Sequence, residues 1–150
     1  MTEIRFYHLL DQRLERVLPQ LLEMSLGRGW RVVVQATSEE RIEALDAHLW
    51  TYRDDSFLPH GLSRNPDAAD QPILLTVDEF NTNNATVRFL IDGAPLPPDA
   101  SRYERLVLLF DGNDDDLVAR AREQWLQVKA QGHEASYWQP DDGGRWVQKA

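Results

Sequence analysis

Residues 30–36 (WRVVVQA) form a β-branched run that, more than any other stretch, constrains what this chain can fold into. The run has no helical period, which predicts a strand covered on both faces. Apolar stripes at helical spacing lie before and after it. Strand, helix, strand, helix in this order indicates right-handed crossover units and a largely parallel sheet.

The remaining elements complete the same pattern. Further strands are predicted at 4–7, 73–77, 87–91, 106–110 and 133–138, and the strands at 73–77 and 87–91 are expected to pair as neighbours. The first helix is expected to begin near Val17 or to be kinked at Pro19. A capping box from Thr37 to Glu40 is expected to open the second helix, and the third is predicted at 114–131. We therefore predict one three-layer α/β domain over residues 1–150, with about five mostly parallel strands and helices on both faces.

Composition narrows the class of protein. The 150 residues are 42% hydrophobic, contain no cysteine and carry a net charge of −9. One soluble, cytoplasmic domain without disulfides is the expectation, and no apolar run approaches the roughly 18 residues that span a bilayer. The acidic balance argues against direct, tight nucleic-acid binding.

Signatures of catalysis and of cofactor binding are missing from the sequence. No glycine-rich phosphate loop follows the first strand, so the fold is expected to be Rossmann-like without a phosphate loop. The acidic run at 111–116 could hold a divalent cation, but capping of the third helix explains it better. The histidines show no metal-ligand spacing. We expect no catalytic residue, no metal site and no cofactor; a small nucleotide- or metal-dependent α/β enzyme is the alternative.

The segment at 45–62 (LDAHLWTYRDDSFLPHGL) is too apolar for a solvated connection. Its bulk comes from Trp50, Tyr52, Phe57, Leu58, Pro59 and His60. Aromatic anchors tend to dominate interfaces, and Pro59 would hold the loop in a shape ready for binding. A docking surface is the favoured interpretation, with Asp54, Asp55 and His60 as its polar rim; the alternative is that the rings fold inward.

Several stretches together resemble one protein family: FYHL, GWRVVV, SEERIEALDAHLWTYRDDSFLPHGL, QPILLT, LVLLFDGND and AQGHEASYW. Over nearly its whole length the chain resembles the chi subunit of bacterial DNA polymerase III, most specifically in LW followed by SFLPHG. The resemblance implies a non-catalytic clamp-loader accessory protein. Such a protein binds the psi subunit and the acidic C-terminal tail of single-stranded-DNA-binding protein during lagging-strand synthesis. A further partner that competes for the psi-binding surface, such as a helicase, stays open.

The resemblance also implies two sites. The family's psi-binding surface falls on Trp50 and Phe57, with Leu58, Pro59 and His60 beside them. The site for the tail falls on the third helix, where one stripe carries Val118, Arg122, Trp125 and Lys129. The sequence departs from the family where lysines are expected, because Val118 and Leu126 stand there. Tail binding is then expected to be weaker or to rely on Arg120, Lys129 or residues near Tyr137. The alternative is a helix packed through Leu117, Ala121, Trp125 and Val128.

Overall fold

A continuous sheet lies at the centre of the computed structural model, which describes residues 2–52 and 58–150. Within those ranges the sheet has eight strands and is flanked by three helices. The strands are β1 (Glu3–Leu9), β2 (Val32–Gln35), β3 (Gly61–Leu62), β4 (Ile73–Thr76), β5 (Val87–Ile91), β6 (Arg105–Asp111), β7 (Glu134–Pro140) and β8 (Trp146–Gln148). The helices are α1 (Leu14–Gly27), α2 (Glu39–Thr51) and α3 (Asp115–Ala130).

The strand order is β3-β4-β2-β5-β6-β1-β7-β8, and every neighbouring pair is parallel except β7 and β8. This confirms the mostly parallel three-layer α/β fold. The expected number of about five strands is too low, because β3 and β8 are too short to leave a pattern in the sequence. The prediction that β4 and β5 are neighbours is wrong, since β2 lies between them and pairs with both.

The two faces of the sheet carry separate halves of the core. Val32 and Val34 of β2 pack with α1 and α2 on one face, and Val33 packs on the face covered by α3. Every residue of β2 is buried, which confirms the prediction of a strand covered on both sides. No helix in the described ranges is long and apolar enough to cross a membrane.

Helix α1 begins earlier than its proline suggested. The helix starts at Leu14 and contains Pro19, so the prediction of a start near Val17 is wrong. Pro19 has no N–H to donate to the carbonyl of Glu15, one turn back. The Nε2 of His48 in α2 lies 2.6 Å from that carbonyl oxygen and takes the place of the missing donor. A side chain from another helix thereby satisfies the group that proline leaves open.

The other two helices differ in how well their first residues were predicted. Helix α2 is capped by Ser38, whose hydroxyl accepts from the Arg41 N–H at 3.2 Å, and not by Thr37 as the capping box implied. Helix α3 is capped as predicted, with Asp114 accepting from the N–H groups of Asp116 and Leu117. The acidic run at 111–116 therefore has a structural role at the start of α3.

A buried arginine supports the crossover between β4 and β5, a ten-residue connection without a helix. Arg88 in β5 is fully buried, and its guanidinium donates to Gln35 Oε1 at 2.7 Å, to the carbonyls of Asp78 (2.5 Å) and Phe80 (3.1 Å), and to Tyr103 Oη (3.0 Å). The arginine thus fixes the crossover loop over the sheet, where a helix would otherwise pack.

Candidate partner-binding sites

A hollow lies between α3 and the edge of the sheet at β7. It has a volume of about 430 Å³ and is lined by Val118, Ala121, Arg122, Trp125, Leu126, Tyr137 and Ala150. Three of the four residues predicted for tail binding therefore share one site. The fourth, Lys129, lies beside it, with its Nζ 5.5 Å from the centroid of the Trp125 ring. We refer to this site as the α3 groove.

The aromatic wall of the α3 groove is anchored in the core. The Trp125 ring packs edge to face against Phe6 at 5.3 Å and against Tyr137 at 6.0 Å. Ala121 and Val128 on the same helix are buried. The inward packing of α3 and the groove on its surface are therefore compatible. Packing against the core holds Trp125 in a fixed orientation while part of its ring stays accessible.

The charge of the groove comes from Arg122. This residue is exposed, and no carboxylate in the described part of the chain forms an ion pair with it, whereas Arg120 pairs with Glu123 at 3.6 Å and donates to the Gly93 carbonyl. Arg120 does not line the groove, so it is a poor substitute for the missing lysines. Among the described residues that line the groove, Arg122 is therefore the one cation, and Lys129 adds a second beside it.

His8 and Tyr137 form a polar layer behind the groove. The Nδ1 of His8 is hydrogen-bonded to the Tyr137 hydroxyl. Burial lowers the pKa of His8, the charge of Arg122 lowers it further, and Asp111 opposes both. Burial raises the pKa of Tyr137. The layer is thus neutral near pH 7, and Arg122 is the charge that a ligand would meet.

Ala121 and Ala150 line the groove although neither was predicted as part of the site, whereas Leu126 and the neighbourhood of Tyr137 were named only in connection with the missing lysines. Tyr137 lies on β7. Its N–H donates to the Ala150 carbonyl oxygen at 3.2 Å, and this hydrogen bond holds Ala150 next to the groove. Leu126 is 69% exposed, an unusual position for a leucine on a helix that ends in solvent. Its position one residue after Trp125 was the signal in the sequence that could have extended the site.

The proposed psi-binding residues occupy different environments. Trp50 is 48% exposed at the end of α2, and Pro59 is partly exposed. Leu58 is buried in the core between the sheet and α2, and His60 is buried as well. Phe57 lies outside the described residues, as do Asp54 and Asp55.

His60 ties the chain after residue 57 to α2. Its Nδ1 lies 2.6 Å from the Leu58 carbonyl oxygen, and its Nε2 lies 3.1 Å from a carboxylate oxygen of Asp46. The Trp50 ring lies over the imidazole, with 4.2 Å between the ring centroids. The expectation that His60 lies on a polar rim is wrong, because these contacts bury it beneath Trp50. Leu58 and His60 are thus both buried in the free chain.

A crevice of about 580 Å³ opens at the carboxyl ends of β1 and β6, where ligands bind in many open α/β folds. Its walls carry Asp11, Asp92, Asp111 and Asp114, which would repel a phosphate group. Arg41 crosses it to pair with Glu15 at 2.8 Å and Asp92 at 2.9 Å. Among the described residues, no cluster of histidine and carboxylate side chains could hold a metal ion. The crevice gives no support to nucleotide- or metal-dependent chemistry.

The family model and the relatives that resemble this chain are all described as DNA polymerase III chi subunits. The family model described as "DNA polymerase III chi subunit, HolC" matches residues 1–136. A Rickettsia prowazekii protein described as a probable DNA polymerase III subunit chi is 32% identical over 74% of this chain and 71% of its own length. The DNA polymerase III subunit chi of Pseudomonas aeruginosa is 25% identical over 89% of this chain and 93% of its own. That of Haemophilus influenzae is 30% identical over 69% and 72%.

Proposed function

Because this chain belongs to the DNA polymerase III chi subunit family, an accessory subunit without a catalytic role, we propose that it is an adaptor of the replication machinery. In this proposal one surface binds the psi subunit and so the clamp loader. The α3 groove binds the acidic C-terminal tail of single-stranded-DNA-binding protein. The observation that carries the second part is Arg122, which forms no ion pair with any described residue and lies beside an aromatic hollow.

The α3 groove suits a peptide that ends in an aromatic residue with a free carboxylate. Arg122 is placed to bind the carboxylate, and its fork of N–H groups matches a carboxylate in two hydrogen bonds. Trp125 and Tyr137 offer ring edges and faces to the terminal aromatic side chain. The apolar residues Val118 and Leu126 widen the hydrophobic part of the groove. Both features of such a tail therefore have a complementary partner.

Without the lysines expected from the family, charge contributes less to binding in this groove and buried apolar area contributes more. With Val118 and Leu126 where cations were expected, one guanidinium supplies the charge of the groove and the apolar walls supply the buried area. Burial of apolar surface depends little on salt, whereas exposed charge pairs weaken as ionic strength rises. We therefore expect tail binding to fall only modestly between low and physiological salt.

The psi-binding surface is proposed at Trp50 and Phe57, with Pro59 between Leu58 and His60. Trp50 offers an exposed aromatic ring that a buried imidazole supports from below. Rings held in place by packing lose little entropy on binding, which is why they serve as interface anchors. Leu58 and His60 contribute by holding the end of the loop against α2.

The tail site is tested with a peptide that copies the C-terminus of the host's single-stranded-DNA-binding protein. Titration calorimetry should show binding that weakens at least about tenfold when the terminal carboxylate is amidated, and similarly for Arg122→Gln. Arg102→Gln is the matched control, because Arg102 is 68% exposed and does not line the groove. Equal affinities for the free and amidated peptides would refute the assignment.

The psi site is tested by co-purification after co-expression with the host's psi. Trp50→Ala and Phe57→Ala should each abolish co-purification while thermal unfolding stays cooperative. Phe80→Ala is the control, since Phe80 is 68% exposed and lies on the crossover loop between β4 and β5. If all three variants retain psi, the anchor lies elsewhere on the molecule.

A further inference from the structure

Three arginines converge at the amino end of the sheet, on the face that α1 covers. Arg5 lies on β1, Arg105 begins β6, and Arg28 follows the last residue of α1. The parallel register places Glu3 opposite Arg105 and Arg5 opposite Val107, so all four side chains project from the same face. Together with Trp30 and Met24, the arginines line a cleft of about 50 Å³ between the end of α1 and the sheet.

The positive charge of this cleft is only partly neutralised within the molecule. Glu3 pairs with Arg5 and, at 3.5 Å, with Arg105. Arg28 forms no ion pair with any residue that the structure describes; its guanidinium lies over the Trp30 ring, with 4.9 Å from Cζ to the ring centroid. The Nε of Arg105 is buried and has no hydrogen-bond partner among the described residues. Among the described residues, the three cations thus share the paired carboxylate of Glu3, Glu134 of β7 lies opposite Glu3 without an ion pair to them, and the Arg105 Nε has no acceptor.

The charges in the cleft act differently on its members: burial would lower the pKa of Arg5, but the hydrogen bonds to Tyr7 and Glu3 raise it above its ordinary value. Burial lowers the pKa of Arg105, and the charges of Arg5 and Arg28 lower it further against the opposing charge of Glu3. Burial alone would raise the pKa of Glu3, but the hydrogen bond from Arg5 and the charges of Arg105 and Arg5 hold it below its ordinary value. An added anion in the cleft would relieve this repulsion.

We propose that this cleft is a second peptide-binding site, which takes an aspartate or glutamate side chain of an acidic partner segment. The cleft is small, about 50 Å³, and three guanidiniums line it. The guanidinium forks of Arg28 and Arg105 suit a carboxylate. Met24, 59% exposed at the rim, offers apolar contact to the residue next to the acidic one.

Nucleic acid fits the same cleft less well. The Trp30 ring is already engaged by the guanidiniums of Arg28 and Arg105, each 4.9 Å from its centroid, which leaves it a poor stacking platform for a base. The net charge of −9 also opposes a long polyanion far more than it opposes one short acidic segment. The site lies on the opposite face of the sheet from the α3 groove, so both can be occupied at once.

The test uses the full chain and a fluorescein-labelled hexa-aspartate peptide with an amidated C-terminus, which removes the terminal carboxylate that the α3 groove would bind. Fluorescence anisotropy should show binding at low salt. Arg28→Gln and Arg105→Gln should each weaken it about tenfold, the loss expected for one charge-assisted contact. Arg28 is exposed, so its variant remains informative if Arg105→Gln does not fold.

Two control variants separate this cleft from general charge effects. Arg64→Gln changes the same charge at an exposed position near Glu39 and Glu43, away from the cleft, and Arg145→Gln does so at an exposed position between β7 and β8 that lines neither the cleft nor the α3 groove. Both should leave the affinity unchanged. Absence of peptide binding, or an equal loss in all four variants, would overturn the proposal. Tighter, Arg28-dependent binding of a labelled oligothymidylate would overturn it in favour of nucleic acid.

Discussion

His8 is a single residue whose titration reports on the α3 groove. It contacts Tyr137, which lines the groove, and it lies close enough to Arg122 for that charge to act on its pKa. Burial and Arg122 both lower the pKa, so the neutral ring is the form that the folded chain favours. The free energy of unfolding contributed by His8 is therefore fully present above its ordinary pKa of 6.5 and falls as the pH drops through the lowered value.

We predict that the pKa of His8 rises when Arg122 is neutralised. Arg122→Gln removes the second-largest cause of the lowering and leaves burial in place. NMR titration of the imidazole Cε1–H signal measures the change directly. Binding of a tail peptide with a free carboxylate should move the pKa in the same direction, and Arg102→Gln should not move it. A His8 pKa that is equal in the wild type and in Arg122→Gln would show that the two groups are not coupled.

Arg88 is the residue on which the helix-free crossover depends. We predict that Arg88→Met lowers the free energy of unfolding by about 3 kcal/mol, because several buried acceptors lose their donor. Urea denaturation measures the change. Arg102→Met, at an exposed position, should change stability by less than about 0.5 kcal/mol. Similar stabilities for the two variants would contradict the role assigned to Arg88.

At the scale of elements, one of the contacts between α1 and α2 is a hydrogen bond that cannot be recognised in the sequence. Pro19 leaves the carbonyl of Glu15 without a donor inside α1, and His48 of α2 supplies one. The helical period of α1 was recognisable from its leucines. Its true start at Leu14 was not, because the compensating donor lies 33 residues away in the chain.

This coupling predicts a non-additive pair of substitutions. His48→Ala should destabilise the wild type by about 1 kcal/mol. In a Pro19→Ala background it should cost clearly less, because the N–H of an alanine at position 19 can bond the Glu15 carbonyl inside α1. Urea denaturation of the two single variants and the double variant completes the cycle. Strict additivity would mean that His48 does not replace the missing donor.

At the scale of the whole molecule, two ion pairs connect parts of the chain that are distant in sequence. Glu3 of β1 pairs with Arg105 of β6, and Glu15 of α1 pairs with Arg41 of α2. In both carboxyl groups burial would raise the pKa, but the hydrogen bonds and charges of the arginines hold it below the ordinary value of 4.5. Their contribution to stability is therefore present above that value and is lost as the pH falls through the lowered pKa values.

We predict that the double variant Glu3→Gln and Glu15→Gln shows a shallower loss of stability in acid. Thermal unfolding should place the wild type above the variant near neutral pH, with the two curves converging below pH 4.5. Asp142→Asn in the β7–β8 turn, an exposed position, is the control and should follow the wild type. Parallel curves for the wild type and the double variant would show that these pairs do not contribute.

The order of the strands in the sheet could not be predicted from the sequence, because local patterns do not show which strands pair. Residues 73–77 and 87–91 are adjacent apolar runs, and nothing local to them shows that β2 pairs with both. The parallel sheet admits the arrangement because Arg88 holds the intervening loop without a helix. For the α3 groove, the spacing of Val118, Arg122 and Trp125 predicted that they share one face of the helix. Tyr137 lies beside them only because β7 pairs with β1 in the folded sheet.

By itself, the sequence determined the three helices, the strands other than β3 and β8, and that one face of α3 carries a cation beside an aromatic ring. Periodicity and capping are local properties, and they survive any arrangement of the elements. Tertiary structure alone decided that His60 lies buried beneath Trp50, that His48 serves α1, and that Arg5, Arg28 and Arg105 meet around one cleft. Each of these depends on side chains that are far apart in the chain and adjacent only once the sheet has assembled.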